Sequence, residues 1–269
     1  MKKLFLATTA VVALAAGSAG AADMAVKARP LPPPPPPCAQ FGGWYFGGHV
    51  GWNYYKHEYK DLDQYGLNAF TLDNVSNLNN NDSDWHGGAQ GGYNWQSGCA
   101  LFGVQVDWSY TNSNADSFHR DSLTPGDGDA SLHSQLRWFG TARARTGVVV
   151  DSLLLYVTGG AAFARFNRDF TWNEGIPTRS ATFSTSRTRF GYVVGAGTEW
   201  AINQNWSLVS EFMYMGFEKD DRNFACPAAA TCAGQPVGSI YRFQFNDSVW
   251  VSRIGLNYRF NYAPVVAKY

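Results

Sequence analysis

Six charged residues are spaced as partners for one another. Asp107, Arg143, Arg145, Glu199, Glu211 and Arg253 each occupy the polar position of a stretch in which apolar and polar side chains alternate. In a strand, successive side chains point to opposite faces, so all six project away from the apolar face. An isolated charge in a dry interior costs several kcal/mol. The chemistry of this set is therefore ion pairing, either as a plug that fills an interior or as the charged lining of a narrow channel.

Other candidates for chemistry are weaker. His49 and His86 fall on the same polar face and have hydrogen bonding as their simplest duty. His57, His119 and His133 lie at or in polar connections, where an imidazole could ligate hemin iron; the plainer assignment is a solvated loop residue. No histidines stand at zinc spacing from the cysteines, and no spacing singles out a catalytic set. Charge is balanced, 21 basic against 21 acidic residues, without the clustered basic excess that nucleic-acid binding requires.

The elements that must carry the six residues are strands. Eight stretches alternate: Trp44–Tyr55, Trp85–Gln96, Leu101–Thr111, and further ones centred on 136–148, 155–163, 189–200, 208–214 and 249–260. In the fourth, Leu136 and Trp138 are expected on the apolar face and Arg137 on the polar one. In the last, Trp250, Ser252, Ile254, Leu256, Tyr258 and Phe260 oppose Val251, Arg253, Gly255, Asn257 and Arg259. Connections alternate between three or four residues, as at Ser97–Cys99, and long polar runs: Glu58–Asp84, the region of Thr124–Asp129, Arg168–Arg187 and Glu218–Phe245. Short turns on one side and long loops on the other describe an antiparallel up-and-down barrel of the bacterial outer membrane, with both chain ends in the periplasm.

Composition agrees. The 18 Phe, 14 Tyr and 10 Trp gather near strand ends, where membrane-interface girdles belong. Mean hydropathy is below zero, which excludes nothing, because a spanning strand needs only alternate apolar positions. Turned inside out, as a soluble barrel, the chain would have to pack its tryptophans into a lumen that eight strands leave barely wide enough for side chains. The lipid-facing orientation follows.

Residues 1–21 read as a secretory signal, with Lys2 and Lys3, an apolar run from Leu4 to Ala16, and Ala19-Gly20-Ala21 for cleavage. Residues 22–43, with Pro30 and Pro32–Pro37, form a stiff polyproline spacer. The barrel occupies 44–260 and a tail 261–269. In an exported chain an even cysteine count predicts disulfides. Sidedness allows only Cys38 with Cys99, both at the periplasmic end, and Cys226 with Cys232, both in the last outer loop.

The motifs Gly43-Trp-Tyr-Phe-Gly-Gly-His-Val-Gly51, Gly91-Gly-Tyr-Asn-Trp-Gln96, Leu154-Leu-Tyr-Val-Thr-Gly-Gly160, Gly195-Ala-Gly-Thr-Glu-Trp200 and Gly255-Leu-Asn-Tyr-Arg-Phe260 resemble those of the small alphaproteobacterial surface barrels of the OmpA/OmpX-like eight-stranded superfamily. The resemblance implies an outer-membrane surface antigen, in some members porin-like or hemin-binding. It implies that carboxylates such as Glu199 and Glu211 pair with basic lumen residues such as Arg145, although Gln105 stands where a glutamate is usual, with Asp107 nearby. It also implies that the β-barrel assembly machinery reads a terminal aromatic signal, here Tyr258 and Phe260, although the chain runs on to Tyr269.

The resulting expectation is a non-enzymatic barrel with a structural, surface-exposed role and a salt-bridged lumen. A narrow porin-like channel is the alternative, and hemin or ligand binding by the external loops a second one. Expected partners are outer-membrane lipid, the assembly machinery and an unidentified partner of the loops.

Overall fold

The computed structural model describes residues 38–62, 77–120, 129–173, 180–225, 238 and 240–260. The expected signal segment, the proline run, Cys226, Cys232 and the tail lie outside them. Branched and aromatic residues at alternate positions favour half-buried strands, and nine form among the described residues. They are β1 (Gly43–Asp61), β2 (Asn77–Ser97), β3 (Ala100–Arg120), β4 (Asp129–Val150), β5 (Leu153–Asn173), β6 (Ser180–Ala201), β7 (Trp206–Phe217), β8 (Asp220–Ala225) and β9 (Ile240–Arg259). All pair antiparallel in the order β1-β2-β3-β4-β5-β6-β7-β9-β8, and β9 also pairs with β1. β8 follows β7 after Glu218 and Lys219 and pairs with β9. The closed ring therefore has eight staves.

At one end the connections are tight. Gly98–Cys99 joins β2 to β3 and Asp151–Ser152 joins β4 to β5. Gly98 (φ 58°) and Asp151 (φ 54°) take the left-handed conformation that two-residue hairpins need, which glycine and aspartate tolerate. Between β6 and β7, the Asn203 side-chain oxygen accepts the backbone N–H groups of Asn205 and Trp206 at 2.9 and 2.8 Å, an Asx turn.

The other end differs from the expectation. β1 to β6 run 19 to 22 residues, about twice the 9 to 11 that a span requires. The polar runs expected as loops are in large part paired strand; Asn79, Asn80 and Asn81, for example, lie opposite Glu58, His57 and Lys56. Beyond the lipid the outer face is polar, so the hydrophobic contrast weakens while the backbone ladder continues, although Leu132, Phe243 and Phe245 remain buried on the inner face. A second difference is local. The register shifts between Tyr110 and Ser113 and between Leu136 and Trp138, so Leu136 is buried inside and Arg137 exposed outside, the reverse of the simple alternation. A bulge of this kind adds a residue to one strand and flips the facing beyond it.

The wall is not continuously paired at its hairpin end. The β2–β3 ladder stops at His86 opposite Thr111, and the β6–β7 ladder at Gly191 opposite Phe217. Past those points the described strands form two sheets, β8-β9-β1-β2 and β3-β4-β5-β6, with a seam on either side.

Outward-facing aromatics form two belts. Trp44, Trp95, Trp200, Trp206, Tyr258 and Phe260 mark the turn end, and Trp52, Tyr54, Trp85, Tyr110, Tyr192 and Trp250 the far limit. Aliphatic residues such as Val106, Val157, Val194 and Ile254 are exposed between them.

Candidate functional site in the barrel lumen

The six charges expected to meet do meet, in two tiers. Asp107 on β3, Arg143 on β4, Glu211 on β7 and Arg253 on β9 form a four-membered network across the lumen. Arg143 Nη2 lies 3.0 Å from Asp107 Oδ2 and its Nη1 3.2 Å from Glu211 Oε1. Arg253 closes the circuit, Nη1 to Asp107 Oδ1 at 3.1 Å and Nε to Glu211 Oε2 at 2.7 Å. Two cations balance two anions, and all four side chains are fully buried. Thr141 donates to Asp107, and Tyr156 to Glu211 at 2.8 Å, so the remaining carboxylate lone pairs are used as a buried network demands.

Gln105 explains how the tier stays neutral. Its amide touches Tyr45 Oη and both guanidiniums, and the orientation with the oxygen toward Arg143 (2.7 Å) satisfies both ends. A glutamate there, as the resemblance suggests, would place three carboxylates against two arginines. In this chain Asp107 supplies the negative charge and Gln105 fills space as a neutral group.

Nearer the turn end, Arg145 pairs with Glu199 at 3.1 Å. Its Nε donates to Asn94 Oδ1 at 2.9 Å, and Glu199 accepts from Ser207 (2.5 Å) and Asn257 (3.2 Å). The guanidinium lies between two rings, 4.5 Å from the centroid of Tyr45 and 5.2 Å from that of Tyr156, a cation–π arrangement. Glycines make room for those rings. A Cβ on Gly92 would stand 2.6 Å from the Tyr45 hydroxyl and 2.2 Å from the Val104 carbonyl; one on Gly197 would stand 2.7 Å from Tyr156.

Below that pair the segment that precedes β1 folds into the mouth. Phe41 is fully buried among Leu101, Val149, Leu154 and Tyr156, with Cys38 and Ala39 packed alongside. Gln96 accepts the Phe41 N–H at 2.6 Å and Asn94 donates to its carbonyl at 2.7 Å. The segment is covalently tied by a Cys38–Cys99 disulfide, Cα atoms 5.6 Å apart, as sidedness predicts. The expected Cys226–Cys232 pair lies outside the described residues.

Toward the hairpin end the lumen becomes apolar, then charged again. Tyr55, Leu136, Phe139, Phe166, Met213 and Val251 form a layer without solvent access. Beyond it Asp247 gathers His57 Nδ1 (2.6 Å), Tyr55 Oη (2.8 Å), Arg168 and Arg189. Asp247 lies three residues past the aromatic belt at Trp250, outside the membrane span. Burial alone would raise its carboxyl, but Arg168 and His57 hold it well below the usual carboxylate range.

This tier corrects the histidine expectation. His57 is not a loop residue; it faces inward from β1 with 1% exposure and its Nδ1 committed to Asp247. His133 faces outward from β4 and bonds Asp116. His119 falls on β3, not in a loop, and its side chain is outside the described set. His57 and His133 lie on opposite faces of the wall and are not brought together. Of the inner pair, His49 bonds Ser109 at 2.7 Å, while both ring nitrogens of His86 lack a protein partner. No group of three metal-ligating side chains occurs among the described residues.

An antiparallel barrel with a lipid-facing exterior belted by aromatics and a side-chain-filled interior is an outer-membrane β-barrel. The chain belongs to the family described as outer membrane protein beta-barrel domain, whose model matches residues 9–260. It is 30% identical over 226 residues to the 31 kDa outer-membrane immunogenic protein of Brucella melitensis, covering 81% of this chain and 88% of that one. It is 29% identical over 130 residues to a 22 kDa outer membrane protein of Rhizobium leguminosarum, covering 48% and 51% of the two chains. Among solved structures, OprG of Pseudomonas aeruginosa matches with a TM-score of 0.50 at 14% identity, over 83% of this chain and 98% of that one, a likeness of fold alone.

Proposed function

We propose that this protein is a structural, surface-exposed barrel whose lumen is closed to ions and solutes. The observation that carries the reading is the four-membered Asp107–Arg143–Glu211–Arg253 network, contributed by four strands and spanning the interior. Above it lies a dry apolar layer, and below it the Arg145–Glu199 pair and the tethered Phe41. A conducting path would have to break ion pairs in a medium of low dielectric, where an unpaired charge is strongly disfavoured.

The tight turns, the disulfide and both chain termini belong on the periplasmic side, and the long hairpins outside the cell. The asymmetry of turn lengths and the oxidising chemistry of a disulfide support this sidedness. The Brucella relatives are named outer-membrane immunogenic proteins, which is consistent with outward hairpins. Tyr258 and Phe260, at the end of β9 beside Trp44, supply the assembly signal, and the hairpins carry whatever partner the protein has.

The test is single-channel conductance of the refolded mature protein in a planar bilayer, after heat-modifiable migration on a gel has verified insertion-competent folding. A silent bilayer is expected. Reproducible steps that change size in Glu211→Gln would sink the closed-lumen reading in favour of a narrow porin.

A further inference from the structure

The interior at the hairpin end carries more positive charge than its carboxylates can use. Four arginines face it: Arg168 on β5, Arg187 and Arg189 on β6, and Arg222 on β8. Arg187 lies opposite the buried Phe166 and Arg222 opposite the buried Phe243, which puts both on the inner face. Arg168 and Arg189 are themselves buried. Arg168, opposite Thr185, is the diagonal neighbour of Arg187 across the β5–β6 ladder, a spacing that long side chains bridge. The ion pairs show the convergence directly. Arg168 and Arg189 both bind Oδ2 of Asp247, and Arg168 Nη1 lies 3.7 Å from the Asp220 carboxylate that Arg222 also holds.

Neither carboxylate has capacity left. An ionised carboxylate accepts about four hydrogen bonds. Asp247 has Tyr55 and His57 on Oδ1 and the two arginines on Oδ2. Asp220 is chelated by Arg222, through Nε at 2.9 Å and Nη2 at 2.8 Å. Arg187 is exposed at the mouth, and no carboxylate among the described residues pairs with it. Asp82 and Asp84 face the lumen from β2, across the ring from β6, and Asp82 there accepts the Asn114 N–H. Nε of Arg168, although buried, has no protein partner. A buried donor left in this state marks a place for water or a ligand.

We infer that this vestibule binds a phosphate group carried by a soluble molecule, with Arg187 and Arg189 as its principal ligands and Arg168 behind them. Guanidinium groups form charge-assisted, often bidentate hydrogen bonds to phosphate. Four arginines less two carboxylates leave two positive charges, which a phosphate dianion offsets. Arg168 is held between two rings, 5.5 Å from the centroid of Phe166 and 4.4 Å from that of Phe245. The apolar layer of Tyr55, Leu136, Phe139 and Met213 below is dry, so the ligand enters and leaves by the open end. A lipid headgroup would meet the opposite face of the wall, where Arg165, Phe190 and Tyr192 point. Which side of the membrane the vestibule faces follows from the sidedness proposed above; the site itself does not depend on it.

The experiment is isothermal titration calorimetry of inorganic phosphate into the refolded mature barrel, in a nonionic detergent at constant ionic strength. Wild type is expected to show a single class of saturable site. A hydrogen bond to a charged group supports about tenfold in affinity, so Arg187→Gln should weaken binding by roughly that factor. Arg187→Lys should recover part of the loss. Arg165→Gln, facing outward one strand away, should bind like wild type. Arg187 is exposed, and a heat-modifiable gel shift verifies that its variants fold. Glucose 6-phosphate, a soluble monoester, should compete with the inorganic ion. Absence of saturable binding overturns the assignment, as does an unchanged affinity in Arg187→Gln. Competition by phosphatidic acid micelles but not by the sugar phosphate also overturns it, in favour of a lipid headgroup site. The titration reads neither conductance nor sidedness, so its failure and that of the closed-lumen reading are distinguishable.

Discussion

The guanidinium of Arg259 sits over the ring of Phe41, 4.6 Å from its centroid, and joins the last strand of the barrel to the segment that precedes the first. Phe41 is thereby held from three sides: by that cation, by the amides of Asn94 and Gln96, and by the disulfide three residues upstream. At the turn end of the lumen Phe41 is buried by a short piece of chain, not by a strand.

Phe41→Ala should lower stability by about 3 to 5 kcal/mol, the range for removing a buried phenylalanine. Cys38→Ser should lower it by about 2 to 4 kcal/mol, because the crosslink closes a loop of 61 residues. Urea unfolding in detergent, followed by tryptophan fluorescence, measures both. A Phe41→Ala midpoint equal to wild type would mean that the segment does not fill the mouth.

The middle ionic tier predicts an asymmetry between single and double replacements. Glu211→Leu alone leaves Arg143 and Arg253 short of a buried partner and should cost about 3 to 5 kcal/mol. Glu211→Leu combined with Arg253→Met removes one charge of each sign, leaving Arg143 paired with Asp107, and should recover most of that loss. A double-mutant cycle on the urea midpoints gives the coupling. Additive losses would show that the two side chains are not paired.

The same tier shows how much the sequence discloses and where it stops. Asp107, Arg143, Arg145, Glu199, Glu211 and Arg253 are legible because each has lipid-facing neighbours at i−1 and i+1, and the contrast assigns the face. Arg168, Asp247 and His57 occupy equivalent inward positions, but beyond the aromatic belt no lipid enforces a contrast, so they read as loop. Leu136 and Arg137 are misassigned because a bulge has no signature in alternation. Phe41 belongs to no periodic pattern, and only its place three residues after a cysteine distinguishes it.

The hairpin-end tier carries a pH dependence of defined sign. The Asp247 carboxyl is held below its ordinary value in the folded barrel, so the unfolded chain binds the proton more tightly. Its contribution is complete above the unfolded value of about 4 and is lost as acid takes the pH below it. Thermal unfolding recorded from pH 7 to pH 3 should show this loss in wild type. Asp247→Asn should be less stable at pH 7, with Arg189 deprived of its carboxylate and Arg168 left with only Asp220 at 3.7 Å, and should show a smaller further loss on acidification. An unchanged acid slope in the variant would remove Asp247 as its source.

The seams predict a pattern in amide exchange that no other arrangement of the wall would give. A strand paired on both sides protects every amide; a strand paired on one side protects every second one. β6 is paired with both β5 and β7 over Gly191–Trp200 but only with β5 over Ser180–Phe190. Hydrogen exchange read by NMR in micelles should therefore show continuous protection from Gly191 onward and alternating protection before it. The same switch should occur in β3, whose ladder to β2 ends at Thr111 while its ladder to β4 continues to Arg120. In β4, which keeps neighbours on both sides from Asp129 to Val148 apart from the bulge at Arg137, alternation should be absent. Continuous protection along Ser180–Phe190 would mean that β6 acquires a second neighbour in solution, and the seam would then be closed by protein.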